Sequence, residues 1–356
     1  MNRADAASRL AQTRTLLDLI GAGWTTQAIG SAVELGVIDR LAARPRETRE
    51  LARLTACEPA ALGRLLRALA SLGIVEERPG GRHALTARGA LLREDSPGTV
   101  RSWALWSSRY HWPLWADLAG SVRTGRSARE RAGAGPGYAH LEGDAQAART
   151  FNLAMAELTR WIGSEVLRVT DWSSRRTVVD VGGGHGELLA TILGSQPSMQ
   201  GVLFDLAHAT RGARGHLARA GLAKRARVVT GSFFEAVPPG ADAYVLKSIL
   251  HNWDDARALE ILRVCRRAAG TNSRLYLVER VPGERTRTGR RDRSILRSDL
   301  NMLVGLGGRE RTRREYATLL AHAGFRLARL KATALDYSVI EAVPVGAPGT
   351  TREPQR

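Results

Sequence analysis

Residues suited to binding a small cationic molecule cluster after a short apolar run near position 180. Asp180 lies in that run, and Gly182, Gly184 and Gly186 follow it before a helical stretch. Glycines at such a turn let a ligand approach the backbone, and a helix start presents free N–H groups. The spacing departs from the dinucleotide pattern G-x-G-x-x-G, because Glu187 stands where its third glycine would be. An acid before the glycines repels phosphate and suits an amino-acid ligand.

A second acidic residue extends this site. Asp205 ends the next predicted strand, 19 residues beyond Gly186. A carboxylate at that place can accept hydrogen bonds from both hydroxyls of a ribose. The glycine-rich turn and this acid together indicate a site for S-adenosylmethionine.

A histidine follows a later strand of the same pattern. His251 stands between a predicted strand at 243–246 and a predicted helix at 253–267. It therefore lies at the carboxyl edge of a parallel sheet, where ligands bind in such folds. With an ordinary pKa near ~6.5, its imidazole is mostly neutral at pH 7 and can accept a proton from a phenol.

The elements that position these residues are short strands alternating with helical stretches from 177 onward, which predicts a βαβ layout and a parallel sheet. The predicted strands are 177–181, 201–204, 226–230, 243–246, 275–278 and 336–342. The Gly-, Ala- and Arg-rich segment 125–143 is predicted to be a loop, and 344–356 a disordered tail.

The N-terminal region has a winged-helix pattern. Helix, turn and helix are predicted over 50–73, with Pro59 in a first turn and Gly73 as a stop. A β-ribbon follows over 74–85. The second helix is rich in leucine, with Arg64 and Arg67 as its only cations. A DNA-reading helix needs several polar side chains toward base edges, so a dimerisation or interdomain role is favoured.

Composition excludes other classes of protein. The chain has 356 residues, two cysteines and no apolar run near the ~20 residues of a membrane span. No secretory signal is recognised, so a cytoplasmic location is expected. The net charge of +18 rests on 50 arginines, since only three of 53 basic residues are lysines. Because they are spread along the whole chain, no nucleic-acid partner is expected.

Four motifs in order connect these features to a known family. They are DVGGGHG at 180–186, VLFDL at 202–206, GSFFEAVPPGADAYVLKSILHNWDD at 231–255, and DLNMLVGLGGRERT at 299–312 with EYATLLAHAGF at 315–325. Almost the whole chain resembles the S-adenosylmethionine-dependent small-molecule O-methyltransferases of plant phenylpropanoid and bacterial polyketide pathways. The resemblance implies an α/β fold: a Rossmann-like methyltransferase sheet over 166–343, a helical linker with the acceptor pocket over 99–165, and an N-terminal α-helical winged-helix dimerisation domain over 1–98, hence a homodimer.

The resemblance also implies roles for individual residues. The cofactor S-adenosylmethionine, whose product is S-adenosylhomocysteine, would be bound around the methionine, ribose and adenine by Asp180, Gly182, Gly184, Asp205, Leu206, Ser232, Phe233 and Lys247. His251 would be the general base, with Glu279 and Glu310 as its two carboxylates. Relatives usually read His-Asp-Trp, whereas this chain has Asn252, so charge from that position is absent. No metal is expected, because no cluster of oxygen ligands for magnesium is recognised.

The acceptor pocket is the least determined part. Trp103, Trp106, Tyr110, Trp112 and Trp115 fall within thirteen positions, and helical spacing places several on one face. They form either a core cluster or an aromatic wall for a planar acceptor. The predicted pocket comprises Trp103, Trp106, Trp112, Phe151, Met155, Asn252, Asn301 and Met302.

Two further functions remain open at this point. One is a relative that binds the same cofactor but performs hydroxylation or decarboxylation, which Asn252 keeps possible. The other is a winged-helix transcription regulator, which would bind DNA in a salt-dependent way. The expected function is methyl transfer to a phenolic hydroxyl of a small polyketide, naphthoate or quinone.

Overall fold

The computed structural model describes residues 3–134, 137–141 and 143–345. The chain divides into two compact units, Met1–Pro113 and Leu114–Arg356, so the predicted linker region at 99–165 is shared between them. Among the described residues, no helix combines the length and apolar character needed to cross a bilayer.

The first unit is helical with a small antiparallel sheet. Its strands β1 (Arg46–Glu47), β2 (Val75–Arg78) and β3 (Arg82–Leu85) pair in the order β1-β3-β2. Its helices are α1 (Arg3–Glu34), α2 (Val37–Ala42), α3 (Thr48–Thr55), α4 (Pro59–Ser71), α5 (Ala87–Ala90) and α6 (Arg101–Leu105), with α7 (Trp112–Trp115) spanning the boundary. This confirms the predicted helix–turn–helix and β-ribbon.

Local sequence explains the winged-helix geometry. Pro59 opens α4 beside Glu58, whose carboxylate accepts hydrogen bonds from the backbone N–H groups of Ala60 and Ala61. Such a cap satisfies donors that the helix leaves free. The leucines of α4 pack inward, since Leu62, Leu66 and Leu69 are buried in the core of the unit. Between α6 and α7 the chain forms a π-helical turn, Trp106–His111.

The second unit is a three-layer α/β sandwich. Its strands are β4 (Thr177–Val181), β5 (Gln200–Asp205), β6 (Ala226–Thr230), β7 (Ala243–Lys247), β8 (Arg274–Glu279), β9 (Phe325–Ala332) and β10 (Ser338–Pro344). Its helices are α8 (Leu118–Thr124), α9 (Ala128–Arg131), α10 (Ala145–Val169), α11 (Glu187–Ser195), α12 (Ala213–Arg219), α13 (Asp255–Ala268), α14 (Arg290–Leu306) and α15 (Arg313–His322).

The sheet order places the predicted ligand residues side by side. The order is β6-β5-β4-β7-β8-β10-β9, and the five strands β4, β5, β6, β7 and β8 are parallel. Alternate side chains of these strands enter two cores: α13 and α15 cover one face, and α10, α11 and α12 cover the other. The predicted Rossmann-like fold is therefore confirmed.

The structure corrects three details of the sequence-based prediction. The sheet is mixed, because β10 pairs antiparallel with both β8 and the unpredicted edge strand β9. The last strand begins at Ser338, since Asp336 has a left-handed φ of 63°. It extends through Pro344, where a tail was expected, and 346–356 lie outside the described residues. The expected loop at 125–143 contains α9 and a 3₁₀ turn, Ala139–Leu141.

Close packing between β5 and α11 generates a stability prediction. A Cβ at Gly201 would lie 2.7 Å from Leu189 Cδ1 and 2.8 Å from Leu193 Cδ1. Gly201→Ala is therefore expected to lower the free energy of unfolding by about 1–3 kcal/mol in urea denaturation. Gly194→Ala in α11 is the matched control: no atom lies within 4 Å of that Cβ, so stability should rise by up to about 1 kcal/mol. Equal shifts in one direction would contradict this packing.

Candidate active site

A cavity of about 300 Å³ opens at the carboxyl edge of the parallel strands in the second unit. This volume is in the range of small-molecule sites. All eight residues predicted to bind the cofactor line it: Asp180, Gly182, Gly184, Asp205, Leu206, Ser232, Phe233 and Lys247. They come from β4, β5 and β7 and the segments that follow these strands and β6.

The glycine-rich turn after β4 forms one wall of the cavity. Gly182, Gly184 and Gly186 have φ values of 73°, 57° and 83°, which residues other than glycine rarely adopt. A Cβ at Gly184 would meet no atom within 4 Å. Its N–H donates to Asp205 Oδ2 at 2.8 Å, and Leu206 N–H donates to Oδ1 at 2.7 Å. The turn thus holds Asp205 in place beside open space.

Two acidic side chains belong to this wall: Asp180 is buried and Asp205 is partly buried. Burial and the negative charge of Asp205 raise the pKa of Asp180 to about 7. Burial likewise raises the pKa of Asp205, against the hydrogen bonds it accepts from backbone N–H groups. Asp180 Oδ2 has no hydrogen-bond partner among the described residues. A cationic ligand group placed here would stabilise the ionised carboxylate.

His251, Glu279 and Glu310 come together although 59 residues of chain separate the first from the last. His251 Nδ1 lies 3.1 Å from Glu310 Oε1 and 3.6 Å from Glu279 Oε2. Both glutamate side chains are fully buried, and that of His251 nearly so. Other donors hold the carboxylates: Ser298 Oγ donates to Glu310 Oε1 at 2.8 Å, and backbone N–H groups of Ile249 and Leu250 donate to Glu279 Oε1.

These contacts change the charge expected for His251. Burial lowers its pKa, but the carboxylates of Glu310 and Glu279 outweigh burial and raise the pKa to about 9. The imidazole is therefore mostly protonated at pH 7, which corrects the expectation of a mostly neutral ring. Burial raises the pKa of Glu279, whereas the imidazolium and hydrogen bonds lower that of Glu310 in spite of its burial. The two shifts favour ionisation of Glu310 over that of Glu279.

The same three side chains are close enough together to bind a metal ion, which the sequence did not indicate. Their ligand atoms lie within 4.8 Å of one another, a spacing that could hold a metal ion. Glu310 Oε1 is hydrogen-bonded to His251 Nδ1 and Ser298 Oγ, so an ion bound to that oxygen would have to displace both hydrogen bonds. Glu279 Oε2 lies 3.6 Å from His251 Nδ1 and accepts no hydrogen bond from the described residues.

His251 lies in a 3₁₀ turn, Leu250–Asn252, rather than at the start of the following helix. That helix, α13, begins at Asp255 and is capped by Asp254, so it starts two residues later than the helix predicted at 253–267. Asn252 is buried, and its Nδ2 donates to Ser248 O at 2.9 Å. Asn252 lines the cavity, whereas none of His251, Glu279 and Glu310 does.

The residues predicted to bind the acceptor are divided. Phe151, Met155 and Asn252 line the cavity. Asn301 and Met302 lie on α14 outside it, and Asn301 Oδ1 accepts a hydrogen bond from Trp115 Nε1 at 2.9 Å. The remaining three belong to the first unit: Trp103, which packs edge-on against His111; Trp106, which is buried and stacks on Tyr110; and Trp112, which is partly exposed.

Sequence reasoning missed part of the cavity wall. Tyr138 and Leu141 line it from the segment expected to be a loop, and the Tyr138 ring contacts Phe151 with centroids 5.0 Å apart. An aromatic residue among glycines was the available signal. His185, His208 and Trp253 also line the cavity.

Family models match both parts of the chain. The O-methyltransferase domain model matches 115–326, and the O-methyltransferase dimerisation domain model matches 17–95. Phenazine O-methyltransferase PhzM of Lysobacter antibioticus is 38% identical over 97% of this chain and 100% of its own length. The crystal structure of LaPhzM has a TM-score of 0.89, 38% identity, and coverage of 94% of this chain and 99% of its own.

A third relative is the O-methyltransferase NcsB1 from neocarzinostatin biosynthesis, solved with S-adenosylmethionine and 2-hydroxy-5-methyl naphthoic acid. It is 32% identical, with a TM-score of 0.74 and coverage of 90% of this chain and 96% of its own. The family, fold and cofactor predicted from the sequence are confirmed. On this similarity over nearly its full length, the chain belongs to the S-adenosylmethionine-dependent small-molecule O-methyltransferases.

Proposed function

We propose that the chain transfers a methyl group from S-adenosylmethionine to a phenolic hydroxyl of a small aromatic natural product, with His251 as general base. The observation that carries this proposal is the buried histidine paired with two buried carboxylates. It lies next in sequence to Asn252, a residue of the cavity wall. A carboxylate that fixes one ring nitrogen leaves the other free for proton transfer.

The methionine part of the cofactor fits the wall formed by Gly182, Gly184 and Asp180. The orphaned Asp180 Oδ2 needs a donor, and the cofactor's ammonium group supplies one together with a positive charge. Gly184 leaves open space at the backbone for a close approach. We assign Lys247, which lines the cavity and lowers the pKa of Asp180, to the same end of the site.

The nucleoside part fits the adjoining part of this wall, beside Asp205. Each Asp205 oxygen already accepts one backbone N–H, and a carboxylate has about four acceptor sites, so two remain for ribose hydroxyls. Leu206 and Phe233 provide apolar surface for adenine, and Ser232 provides a hydroxyl near it. These residues bind and orient the cofactor without taking part in proton transfer.

Bound S-adenosylmethionine supplies an electrophilic methyl group, and the protein must place an oxygen in line with it. Positioning of this kind contributes much of the rate. A phenol has a pKa near ~10, so removing its proton during attack lowers the barrier. His251 would take the proton on Nε2, because Nδ1 is hydrogen-bonded to Glu310 at 3.1 Å. Glu310, ionised in its buried setting, would stabilise the resulting imidazolium, and Glu279 would add to that effect.

The acceptor is proposed to be a planar polyketide, naphthoate or quinone. Phe151 and Met155 offer apolar and polarisable surface in the cavity. The relatives' names include a phenazine O-methyltransferase, and NcsB1 was solved with a naphthoic acid. Five further residues do not line the cavity of the second unit but are still proposed to contact the acceptor: Trp103, Trp106, Trp112, Asn301 and Met302.

A homodimer is proposed on the match to a dimerisation domain and on the surface of α1. This helix exposes a row of large apolar side chains to more than half of their area: Leu10, Leu16, Leu17, Leu19, Ile20 and Trp24. Apolar surface of this extent marks interaction sites. The leucines of α4 are buried, and its exposed face carries only Arg64 and Arg67 as cations, fewer than a base-reading helix needs, which favours dimerisation over DNA binding.

His251→Ala tests the role of the base. Loss of the imidazole should lower kcat by about 10²- to 10⁴-fold, while the Kd for S-adenosylhomocysteine in calorimetry stays within about twofold, because His251 lies outside the cavity wall. Asp205→Ala is the matched control and should weaken cofactor binding first. Lost affinity with intact turnover in His251→Ala would refute the assignment.

The pH dependence of kcat follows from the raised pKa of His251. Only the neutral imidazole accepts a proton, so kcat should rise with pH, reach half of its maximum near pH 9 and level off above that pH. Glu310→Gln removes the charge that holds the proton and should move this rise to lower pH, with a lower maximum. Both proteins are measured with one acceptor, so its own ionisation is common to both profiles. An unchanged midpoint in Glu310→Gln would contradict the coupling.

Removal of metal ions should leave the rate unchanged. The His251 nitrogen and Glu310 oxygen that a metal would need are hydrogen-bonded to each other. Prolonged dialysis against a chelator, followed by assay in metal-free buffer, is expected to give full activity. Loss of activity that added Zn²⁺ or Mg²⁺ restores would instead assign these three side chains to a metal site.

A further inference from the structure

A buried cation next to the proposed active site has no role so far. The Arg311 side chain is 1% exposed, and all three of its nitrogens donate. Nη1 donates to Leu250 O at 2.9 Å, Nη2 to Trp253 O at 2.8 Å, and Nε to Asp255 Oδ1 at 2.8 Å. Burying a guanidinium is costly unless its donors are satisfied, so this set of acceptors determines where the side chain lies.

The two carbonyl acceptors flank the 3₁₀ turn that carries His251. Leu250 begins that turn and Trp253 follows it directly. The turn has only short-range hydrogen bonds of its own, from Asn252 N–H to Ile249 O and from Trp253 N–H to Leu250 O, each at 3.2 Å, and these do not fix its position relative to the rest of the site. The fork of Arg311 joins its two ends through a single rigid plane, which a guanidinium can do and an ammonium cannot.

The neighbours of Arg311 in sequence contact the same turn. Arg309 N–H donates to His251 O at 2.9 Å, and Glu310 Oε1 meets the imidazole at 3.1 Å. A Cβ at Gly308 would lie 2.1 Å from His251 O, so the backbone at Gly308 packs directly on the turn that carries His251. Movement of the turn relative to Arg311 would therefore also move the ring relative to Glu310.

We propose that Arg311 is a positioning residue that fixes the backbone on both sides of His251 and thereby keeps its imidazole in register with Glu310. The proposal deepens the proposed function and rests on His251 as the base. Arg311 lies outside the cavity wall, so its effect on the reaction passes through the turn. A displacement of about 1 Å at a reacting group can cost about 10²-fold in rate.

Other charged and titratable groups set the protonation of His251 together with Glu310. Those that act on His251, on its two carboxylates or on both are Glu279, Arg280, Asp299, Tyr316 and Tyr337. A test of Arg311 must keep its positive charge, so that these interactions change little. Arg311→Lys does so, and it exchanges the fork for one ammonium group.

The matched control is Arg309→Lys. Arg309 is the other arginine beside Glu310; its side chain is half-exposed and pairs with Asp255 and Glu315 at the surface. Its contact with the turn is made by the backbone N–H, which the substitution leaves in place. Any effect confined to Arg311→Lys then reports the lost fork.

Three quantities are measured on the intact chain: kcat, the Kd for S-adenosylhomocysteine, and the pKa of His251 from NMR titration with labelled histidine. Arg311→Lys should lower kcat, compared at the high-pH plateau where His251 is neutral in both proteins, by about 10- to 100-fold, leave Kd within twofold, and lower the pKa of His251. Arg309→Lys should match the wild type in all three. A kcat within threefold of wild type, or an unchanged pKa of His251 in Arg311→Lys, overturns the proposal.

Asp255→Ala covers the case in which Arg311→Lys does not fold. The Asp255 side chain is 62% exposed and, within the part of the chain that the structure describes, is the only carboxylate that pairs with Arg311. Its substitution therefore weakens the hold on the guanidinium from a position that tolerates change. A smaller fall in kcat and a lower pKa of His251 are expected, and wild-type values for both overturn the proposal. The NMR titration needs no turnover, so a failure of His251 as base, shown by active His251→Ala, is distinguished from a failure of Arg311.

Discussion

The arrangement of the active site depends on one electrostatic constraint: a histidine and two glutamates are buried within a few ångströms of each other. Charges removed from water must be paired and hydrogen-bonded, or the folded chain loses stability. The protein satisfies Glu279 with backbone N–H groups of the turn before His251, and Glu310 with Ser298 and the imidazole. The conformations of the 3₁₀ turn and of the segment ending at Arg311 follow from these requirements.

The parallel sheet explains why these groups can meet at all. Residues at the carboxyl ends of β5, β4, β7 and β8 are neighbours in space, because those strands are adjacent in that order. Asp205 ends β5, Lys247 ends β7 and Glu279 ends β8. Cofactor binding and proton transfer therefore use successive strands of one edge, while helices on both faces bury the apolar residues that alternate with them.

The sequence predicted the features that local residue patterns encode, and it did not predict those that depend on contacts between distant residues. Two strands, 177–181 and 226–230, have the predicted bounds, because apolar runs there lie between clear turn signals. Strand β9, Phe325–Ala332, was missed since its arginines and lysine obscure a strand pattern, although cations are usual on an edge strand. The pKa of His251 depends on carboxylates 28 and 59 residues away, so the ordinary value of a free histidine was the wrong guide.

The departure at Asn252 has a physical role in this setting. Its Nδ2 donates to the carbonyl of Ser248, a residue held at a left-handed φ of 56°. An ionised aspartate has no donor to offer that carbonyl, and it would add a negative charge at a buried position. The amide instead closes the loop from Ser248 to Asn252 without adding charge, so the pKa of His251 is governed by Glu310 and Glu279. Asn252 therefore adds no charge to the site, and its hydrogen bond fixes the backbone around the base.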